Sequence, residues 1–573
     1  MSAAPPRFRL AVVADLAAGR VLPRRRIDRE SFDEAVAALA PELSVELPDR
    51  LADGPDRVLS LQFESWRDFT PSGLVARVPA LSRVLDLARG LADKTLDAEA
   101  AARAADGIAP PAWIAALGGG EPASQPSPPS APADAPATAP AESNGDLDSI
   151  LDLVDTDGAA SQRRSENAPA ERARDLVAAI TTRDRRPSEA GADTSELEAR
   201  LSAQLDALLA DPAFRALERG WAGLHWLIQR ANFREDLEIE VVAAPLDEAA
   251  AAISSLADGD DVDLVLAAYE LDASARDHKL AQELAGAGEE IQAVVLTGLA
   301  PEFFGDPSWE GLAKGETPRA RFERPEYDAW RSLRGQDVAR WWVPVADRIA
   351  VRARYGADGA STRGVPYEEA TPGGLHVSAA WGVASVVLRS WERTRACVQI
   401  SGTRHGLIPD LALIGAGEDA SPLAGRLRDD RREDLEAIGI TSVQVYRRDV
   451  AFVGAVRTFR SPERYPDTEA TADAAQQVTL AYQIVASRLV KLLGRTLGAL
   501  AGQTHEAAAG LLREAVVQHF SRPGKPLGPD HVGVELREDA DDPTLTAVGV
   551  RVQPEIQVGG RPVNLLLQFL TRL

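Results

Sequence analysis

The chain has 573 residues, 45% of them hydrophobic and 26% charged, and its 87 acidic against 63 basic residues give a formal net charge of −24. This composition is that of a globular protein with several cores, and the acidic balance argues against nucleic acid as a partner, because phosphate backbones are bound by clustered Lys and Arg. Cys397 is the only cysteine, which excludes an intrachain disulfide. Without a signal peptide pattern or an apolar run of about 18 residues, we expect a cytoplasmic protein with no membrane insertion.

The first hundred residues contain strand patterns followed by a distinctive turn. Residues 7–14 form an apolar run typical of a buried strand, and residues 57–64 alternate apolar and polar side chains. A D-F-x-P sequence follows, in which Asp68 is expected to cap the helix that Pro71 begins. Phe69 is expected to anchor this turn in the core.

These residues resemble the small subunit of the type VI secretion contractile sheath, the TssB family. The positions that match its pattern are Phe63, Asp68, Phe69, Pro71, Val78, Pro79, Leu81 and Leu85. We therefore predict that residues 1–115 form a region of the small-subunit kind. A catalytic Asp68 is the functional alternative, but no His is close in sequence.

Residues 116–190 are predicted to be a linker, because much of this stretch is rich in Pro, Ala and Ser. A short amphipathic helix is predicted over residues 146–154. Its apolar positions, at helical spacing, are Leu147, Ile150, Leu151 and Val154. The segment is similar to the short helix of the sheath's large subunit that a ClpV-type AAA+ unfoldase recognises, which makes it a candidate docking site. The alternative is a chance apolar cluster in a disordered tail.

Two amphipathic helices are predicted after the linker. Leucines recur at helical spacing over residues 197–209, and Asp211 with Pro212 has the pattern of a cap and a first helical residue. The second helix places a wide apolar stripe on one side, which needs a large partner surface.

This pair resembles the start of the core of the large sheath subunit, the TssC family. The matching residues are Gln204, Phe214, Leu217, Glu218, Trp221, Gly223, Leu224 and Leu227. An ordinary helix pair would explain the leucines but not the Trp-Ala-Gly-Leu sequence at 221–224. Patches of likeness continue to the end of the chain, so we predict that residues 191–573 are a core of the large-subunit kind.

Strand and helix patterns alternate in this second region. Strands are predicted over residues 237–242, 262–268 and 291–298, with a helix over 275–288 and a long helix over 470–497. The expected fold class is therefore α/β in layers, with mixed sheets flanked by helices.

The last strands, residues 545–573, are predicted to form a hairpin around a glycine pair. The resemblance implies that such strands are exchanged between neighbouring sheath protomers. The candidate interprotomer positions are Val548, Val550, Val552, Leu565 and Leu567.

The stretch from Gly415 to Gly417 has the outline of a dinucleotide fingerprint, which would make the chain a nucleotide-cofactor enzyme. The apolar run before it is only four residues long, and Pro422 follows at once. The sequence has no Walker loop and no G-x-S-x-G elbow, and its histidines are scattered. We therefore expect no catalytic residue, cofactor or metal.

Taken together, the resemblances imply a contractile-sheath protomer in which the small-subunit-like part packs on the large-subunit-like core. They imply self-association into a helical sheath around an inner tube, on a baseplate, that delivers effectors by contraction. The alternative from the same family is a cap, collar or baseplate adaptor that keeps the fold without polymerising.

Overall fold

The computed structural model describes residues 7–117 and 194–572, apart from residues 235, 372, 501, 523, 540, 541 and 543. The predicted helix at 146–154 and nearly all of the predicted linker lie outside the described residues. The chain divides into two compact units, Met1–Leu85 with Leu197–Leu573, and Asp86–Glu196. Among the described helices, none combines the length and the apolar character that a membrane span requires.

Strands and helices alternate along the chain. The strands are β1 (Phe8–Ala14), β2 (Leu22–Arg26), β3 (Glu42–Leu47), β4 (Arg57–Gln62), β5 (Leu237–Ala243), β6 (Leu264–Leu271), β7 (Val294–Leu299), β8 (Trp342–Val345), β9 (Arg348–Arg352), β10 (Leu375–Ser378), β11 (Leu407–Ile408), β12 (Val443–Arg447), β13 (Val450–Val453), β14 (Val532–Glu538), β15 (Thr546–Val552), β16 (Gln557–Val558), β17 (Arg561–Pro562) and β18 (Leu565–Thr571).

The helices are interleaved with these strands. They are α1 (Phe32–Leu39), α2 (Pro71–Arg77), α3 (Pro79–Ala92), α4 (Ala98–Ala104), α5 (Pro111–Leu117), α6 (Ser195–Ala210), α7 (Pro212–Arg230), α8 (Ala249–Ser254), α9 (Ala275–Glu290), α10 (Trp309–Lys314), α11 (Pro318–Phe322), α12 (Asp328–Gly335), α13 (Ala380–Thr394), α14 (Gly402–His405), α15 (Asp429–Ala437), α16 (Thr468–Gln477), α17 (Leu480–Gly498) and α18 (His505–Phe520). This content confirms the expected α/β class.

The core is built on a six-stranded sheet of order β2-β5-β1-β6-β7-β8. Strands β5, β1, β6, β7 and β8 are parallel, and the edge strand β2 is antiparallel. Ala11 and Val13 of β1 belong to a buried cluster with residues of α8 and α9, while α13 contacts β6 and β7. Burial on both faces explains why the inner strands are nearly continuous apolar runs rather than alternating ones.

The first strand of the chain lies inside this sheet. Strand β1 pairs with β5 over its whole length, from Phe8 opposite Leu237, and with β6 from Leu10 opposite Leu264. Its two partners come more than 220 residues later in the sequence. The N-terminal strand is therefore an internal strand of the sheet that the rest of the chain forms.

The predicted long helix over 470–497 is wrong in one respect, because the structure has two helices there, α16 and α17. Thr479 separates them, and its hydroxyl accepts a hydrogen bond from the backbone N–H of Tyr482 as the N-cap of α17. The backbone N–H of Thr458 also donates to the carbonyl of Val478, which holds the interruption in the core. An N-cap residue has non-helical backbone angles, so the helix cannot run through it.

The end of the chain forms a separate three-stranded antiparallel sheet of order β14-β15-β18. Strands β15 and β18 pair from Thr546 opposite Thr571 to Val552 opposite Leu565, with the short hairpin β16–β17 between them. The predicted pairing of the last two long strands is confirmed, and β14 is an additional partner. Helix α18 contacts β14.

Candidate functional site

The D-F-x-P turn is stabilised by Asp68, but not in the way the sequence predicts. The Asp68 Oδ2 atom accepts hydrogen bonds from the backbone N–H groups of Glu64 and Ser65, at 2.8 and 2.9 Å. It also pairs with the guanidinium of Arg77 at 2.9 Å. Asp68 therefore closes the short 3₁₀ turn that precedes Pro71, and it gains a positive partner from the helix that follows.

The prediction that Asp68 caps the helix of Pro71 is wrong. The cap of α2 is Thr70, whose hydroxyl accepts from the backbone N–H of Gly73 at 3.3 Å. Thr70 lies directly before Pro71, which is the first helical residue as expected, whereas Asp68 lies two positions before the N-cap. Thr70 could have been identified from the sequence, because Thr directly before Pro is a typical helix start.

Phe69 joins the turn to the second region. It is buried and stacks on Phe63, with ring centroids 4.2 Å apart. The same ring lies 6.3 Å from Phe214 and 6.4 Å from Trp221, both on helix α7. The residues that carry the two family resemblances therefore meet in one aromatic cluster, in which ring pairs at such distances add to the burial of apolar area.

Trp221 also makes a polar contact between helix α7 and the N-terminal region. Its indole Nε1–H donates to the carbonyl of Leu16, just after β1, at 3.1 Å, and the whole side chain is buried. The ring packs edge-on against Phe32 of α1, with centroids 5.8 Å apart. Helix α7 is thus fixed to the N-terminal region by both apolar and hydrogen-bonded contacts.

Gln204 makes a third connection. Its side-chain Oε1 is buried and accepts from the backbone N–H of Arg50 at 2.8 Å. One turn earlier on α6, the guanidinium of Arg200 donates to the carbonyls of Arg50 and Leu51, each at 3.3 Å. The loop after β3 is therefore held by α6 through its backbone.

Gly223 allows helix α13 to approach α7 closely. A Cβ atom at this position would lie 2.4 Å from the nearest ring atom of Trp381, far inside van der Waals contact. Phe214, Leu217 and Leu224 of the same helix are all buried in the core. The glycine in the Trp-Ala-Gly-Leu sequence is therefore explained by the space that the Trp381 ring occupies.

Glu218 belongs to a buried cluster of charges between α7 and β9. Its carboxylate lies 3.2 Å from the guanidinium of Arg352, which also pairs with Glu369 at 2.8 Å and lies over the ring of Tyr355 at 4.0 Å. Burial raises the pKa of the Glu218 carboxyl, and the nearby Arg352 opposes this effect. A buried carboxylate is retained only with such partners, so Arg352 is needed wherever Glu218 is charged.

Sequence reasoning did not predict that Arg352 and Trp381 contact helix α7. Each lies more than 100 residues from the helix that it contacts. No local spacing could have placed them beside α7, because the contact depends on how distant elements pack.

The Gly415 loop does not have the geometry of a dinucleotide-binding unit. The strand before it, β11, has two residues, and the next helix, α15, begins at Asp429. Ile414 and Ser421 pair across the base of the loop, so the chain turns back on itself. A fingerprint loop instead leads directly from a buried strand into a helix whose N-terminus faces the pyrophosphate.

The candidate interprotomer residues lie in the C-terminal sheet. Buried within the chain's own fold are Val548, Val550, Val552 and Leu565, while Leu567 is half-buried. On the opposite face of the outer strand β18, Leu566 and Leu570 are 67% and 53% exposed. Exchange of these strands between protomers stays a prediction.

Two family models match the two regions described above. The one described as "Type VI secretion system, VipA, VC_A0107 or Hcp2" matches residues 7–108. The one described as "EvpB/VC_A0108, tail sheath N-terminal domain", the VipB family, matches residues 192–264 and 255–457. The first match contains β1 and the D-F-x-P turn, and the second contains α7 and strands β5 to β8.

Two proteins of Pseudomonas aeruginosa are similar to parts of this chain. The type VI secretion system sheath protein TssC1 is 24% identical over 333 residues, which cover 52% of this chain and 66% of that protein. The sheath protein TssB1 is 29% identical over 94 residues, which cover 15% of this chain and 55% of that protein. In these matches the chain spans less than two thirds of the length of either relative.

Solved sheath structures resemble the fold at low sequence identity. The sheath complex of the extracellular contractile injection system PVC, in its contracted state, is 10% identical with a TM-score of 0.35, covering 62% of this chain and 77% of that one. The sheath tail protein of Desulfitobacterium hafniense is 10% identical with a TM-score of 0.31, covering 57% and 60%. On the two family matches and the two relatives, the chain belongs to the type VI secretion sheath proteins and joins a small-subunit (VipA) region to a large-subunit (VipB) region in one polypeptide.

Proposed function

We propose that this chain is a structural protomer of a type VI secretion contractile sheath, with the two subunits fused. Residues 1–115 take the part of the small subunit, residues 191–573 take the part of the large subunit, and residues 116–190 link them. The observation that carries this proposal is strand β1, which pairs with β5 on one side and β6 on the other. A strand inside a sheet is part of the fold rather than a surface contact.

The fusion has a physical consequence for assembly. Two separate chains must find each other at their cellular concentrations, whereas a linked pair meets at an effective concentration set by the linker. The two regions of this chain therefore combine in a fixed one-to-one ratio. The buried contacts of Phe69 and Trp221 then hold the combined protomer together.

The protomers would associate by contacts that do not close into a ring, which generates a helical polymer. The C-terminal sheet is suited to such contacts, because β14 and β18 are its outer strands and each has an edge without a strand partner among the described residues. Unpaired edges accept strands from other chains. We propose that residues 545–573 exchange strands between neighbouring protomers in this way.

The proposal includes the partners that a sheath requires. An inner tube would fill the polymer, a baseplate would start it, and a ClpV-type unfoldase would bind residues 146–154. These partners are supported by the sequence resemblance to sheath subunits. Contraction would release the free energy of a metastable extended state.

Electron microscopy of the purified protein tests the proposal. A sheath protomer is expected to form tubes, and a chain that stays monomeric at high concentration would contradict it and would favour a cap, collar or adaptor. Lysine on an edge strand blocks pairing with another chain, so Leu566→Lys with Leu570→Lys should shorten or abolish the tubes. Leu511→Lys, at a 46% exposed position on helix α18, places the same residue on a helix rather than on an edge strand and should leave the tubes unchanged.

We also propose that the protein has no catalytic activity. It is supported by the Gly415 loop, which closes on itself instead of opening onto a helix N-terminus. We expect no binding of a nicotinamide or flavin cofactor when either is titrated into the purified protein and followed by fluorescence. Saturable binding that Gly415→Val removes would contradict this part of the proposal.

A further inference from the structure

A β-hairpin of the large-subunit region ends in an exposed aromatic and basic tip. Strands β12 and β13 form this hairpin, and β12 is the outer strand of the sheet β11-β13-β12. We define the hairpin tip as Val445, Tyr446, Arg447 and Arg448, all of which are exposed, with Tyr446 at 42%. Exposure of side chains from both faces of the strand shows that the tip projects from the protein body.

The base of the hairpin is firmly attached. Val443 is buried, and the side chain of Gln444 donates to the Asp429 carboxylate at 2.5 Å. Tyr446 packs edge-on against Phe452 of β13, with ring centroids 6.4 Å apart. The tip is therefore held in place by the buried base of the hairpin. It loses less conformational entropy when it binds a partner than a free loop would.

The positive charges of the tip are not neutralised within the described part of the chain. The Arg447 guanidinium lies 5.1 Å from the centre of the Tyr446 ring, and neither it nor Arg448 forms an ion pair with a described carboxylate. The arginines of β2 differ in this respect, because Arg24 and Arg26 both pair with Glu240. Asp449, which is also exposed, follows Arg448 in the turn, so the tip has two positive charges beside one negative charge. The hairpin tip is thus a local excess of positive charge on a chain of net charge −24.

We propose that the hairpin tip binds a second copy of this chain. This inference rests on the proposed function, because it names one contact by which the protomers associate. Copies of net charge −24 repel each other, so a contact between them is favoured where a positive patch of one meets the acidic surface of the next. Tyr and Arg are also the residues that most often carry the binding energy of an interface.

Photo-crosslinking tests the identity of the partner. A photoreactive phenylalanine at position 446 of the full-length chain should give an adduct of twice the chain's mass in concentrated purified protein. The same residue at position 58, which is exposed on β4, should give none. Absence of the dimer adduct at position 446 would overturn the inference, as would an adduct formed in cells only with a different protein.

Charge reversal tests the physical cause. Arg447→Glu with Arg448→Glu should reduce the pelleted polymer by about ten-fold or more, as expected when like charges face each other in an interface. Arg319→Glu with Arg513→Glu makes the same change of net charge at two other exposed arginines and should have little effect. The thermal unfolding midpoint of both variants should match that of the parent chain, which shows that the fold is intact.

The two proposals can fail separately. If the parent chain forms tubes and the charge-reversed tip variant forms them equally well, the hairpin-tip inference is wrong and the sheath function stands. If the parent chain forms no tubes, the sheath function is wrong. The crosslink at position 446 then still decides whether the tip contacts a second copy.

Discussion

The indole N–H of Trp221 donates a hydrogen bond to the carbonyl of Leu16, 205 residues earlier in the chain, in a fully buried site. Leu16 lies just beyond the end of β1, and Trp221 lies on helix α7, which carries the large-subunit motif. This bond therefore connects the two family regions at a point where water cannot replace a lost partner. An unsatisfied carbonyl in such a site costs free energy. Removing the bond therefore tests how much the contact between the two family regions contributes to stability.

Replacing Trp221 with Phe should lower the free energy of unfolding. The change removes the indole donor, leaves the Leu16 carbonyl buried, and creates a small cavity, so we expect a loss of about 2–4 kcal/mol. Trp226→Phe is a matched control on the same helix, because the buried indole nitrogen of Trp226 has no hydrogen-bond partner in the described structure. Chemical denaturation of the two variants measures the difference, and equal losses would show that the bond to Leu16 is unimportant.

Replacing Gly223 with Ala should also destabilise the chain. Within a helix, Gly→Ala normally stabilises by up to about 1 kcal/mol, but here the new Cβ would lie 2.4 Å from the Trp381 ring. Overpacking of this kind costs about 1–3 kcal/mol, so the net effect should be a loss. Gly494→Ala in α17 has no atom within 4 Å of the new Cβ and should stabilise instead. A gain at both positions would show that α7 and α13 can move apart freely.

Asp347 should make stability depend on pH. Its carboxyl is fully buried between β8 and β9, its Oδ1 accepts from the backbone N–H groups of Arg348 and Gly425, and its Oδ2 has no hydrogen-bond partner within the described part of the chain. Burial raises the pKa of Asp347 from 3.8 to about 7, against the effect of the two N–H groups and of Arg348. The folded state therefore prefers the neutral carboxyl.

The direction of the pH effect follows from this shift. Below the unfolded pKa the carboxyl is neutral in both states and costs nothing. As pH rises from about 4 to about 7, the unfolded chain releases the proton first, so folding becomes less favourable, by up to about 4 kcal/mol in total. Asp347→Asn removes this titration and should be more stable than the parent chain at pH 8, with the advantage vanishing near pH 4. Asp419→Asn, at an exposed site, should show no such trend in denaturation measured across this range.

The linker segment has its own test. If residues 146–154 dock an unfoldase, Leu147→Asp with Leu151→Asp should abolish binding of a ClpV-type protein, because charges would replace apolar positions of the amphipathic helix that the sequence predicts. Tube formation should be unaffected. Asp146→Asn with Asp148→Asn changes the same segment without touching its apolar side and serves as the control in a pull-down assay. Undiminished binding by the leucine variant would rule out this site.

Local chemistry predicted the parts of the fold that depend on neighbouring residues. The helix pair around Asp211 is confirmed, including the cap, whose Oδ1 accepts from the N–H groups of Ala213 and Phe214 at 2.9 Å. The apolar run at 7–14 is confirmed as a buried strand. In each case the signal lies within a few residues of the structure that it specifies.

The sequence does not reveal which strands pair when they are far apart along the chain. Parallel strands such as β1 and β5 share no turn whose length fixes their register, so the position of β1 inside the sheet does not follow from its pattern. For the same reason, the sequence does not reveal that Arg352 pairs with Glu218. Asp68 and Thr70 are a different case, because the Thr-Pro pair in the sequence already indicates that Thr70 is the cap, while the hydrogen bonds of Asp68 within the preceding turn are visible only in the structure.

The most direct test of the fused-protomer account is to cut the chain between its two regions. A specific protease site placed in residues 118–145 leaves both family regions whole, and size-exclusion chromatography then shows whether they separate. We predict that the two pieces elute together in native buffer and separate only in denaturant, whereas a cut chain that also carries Val12→Asp in the buried strand β1 releases its N-terminal piece. Release of the N-terminal piece from the unsubstituted chain in native buffer, with the remainder still folded, would contradict the account.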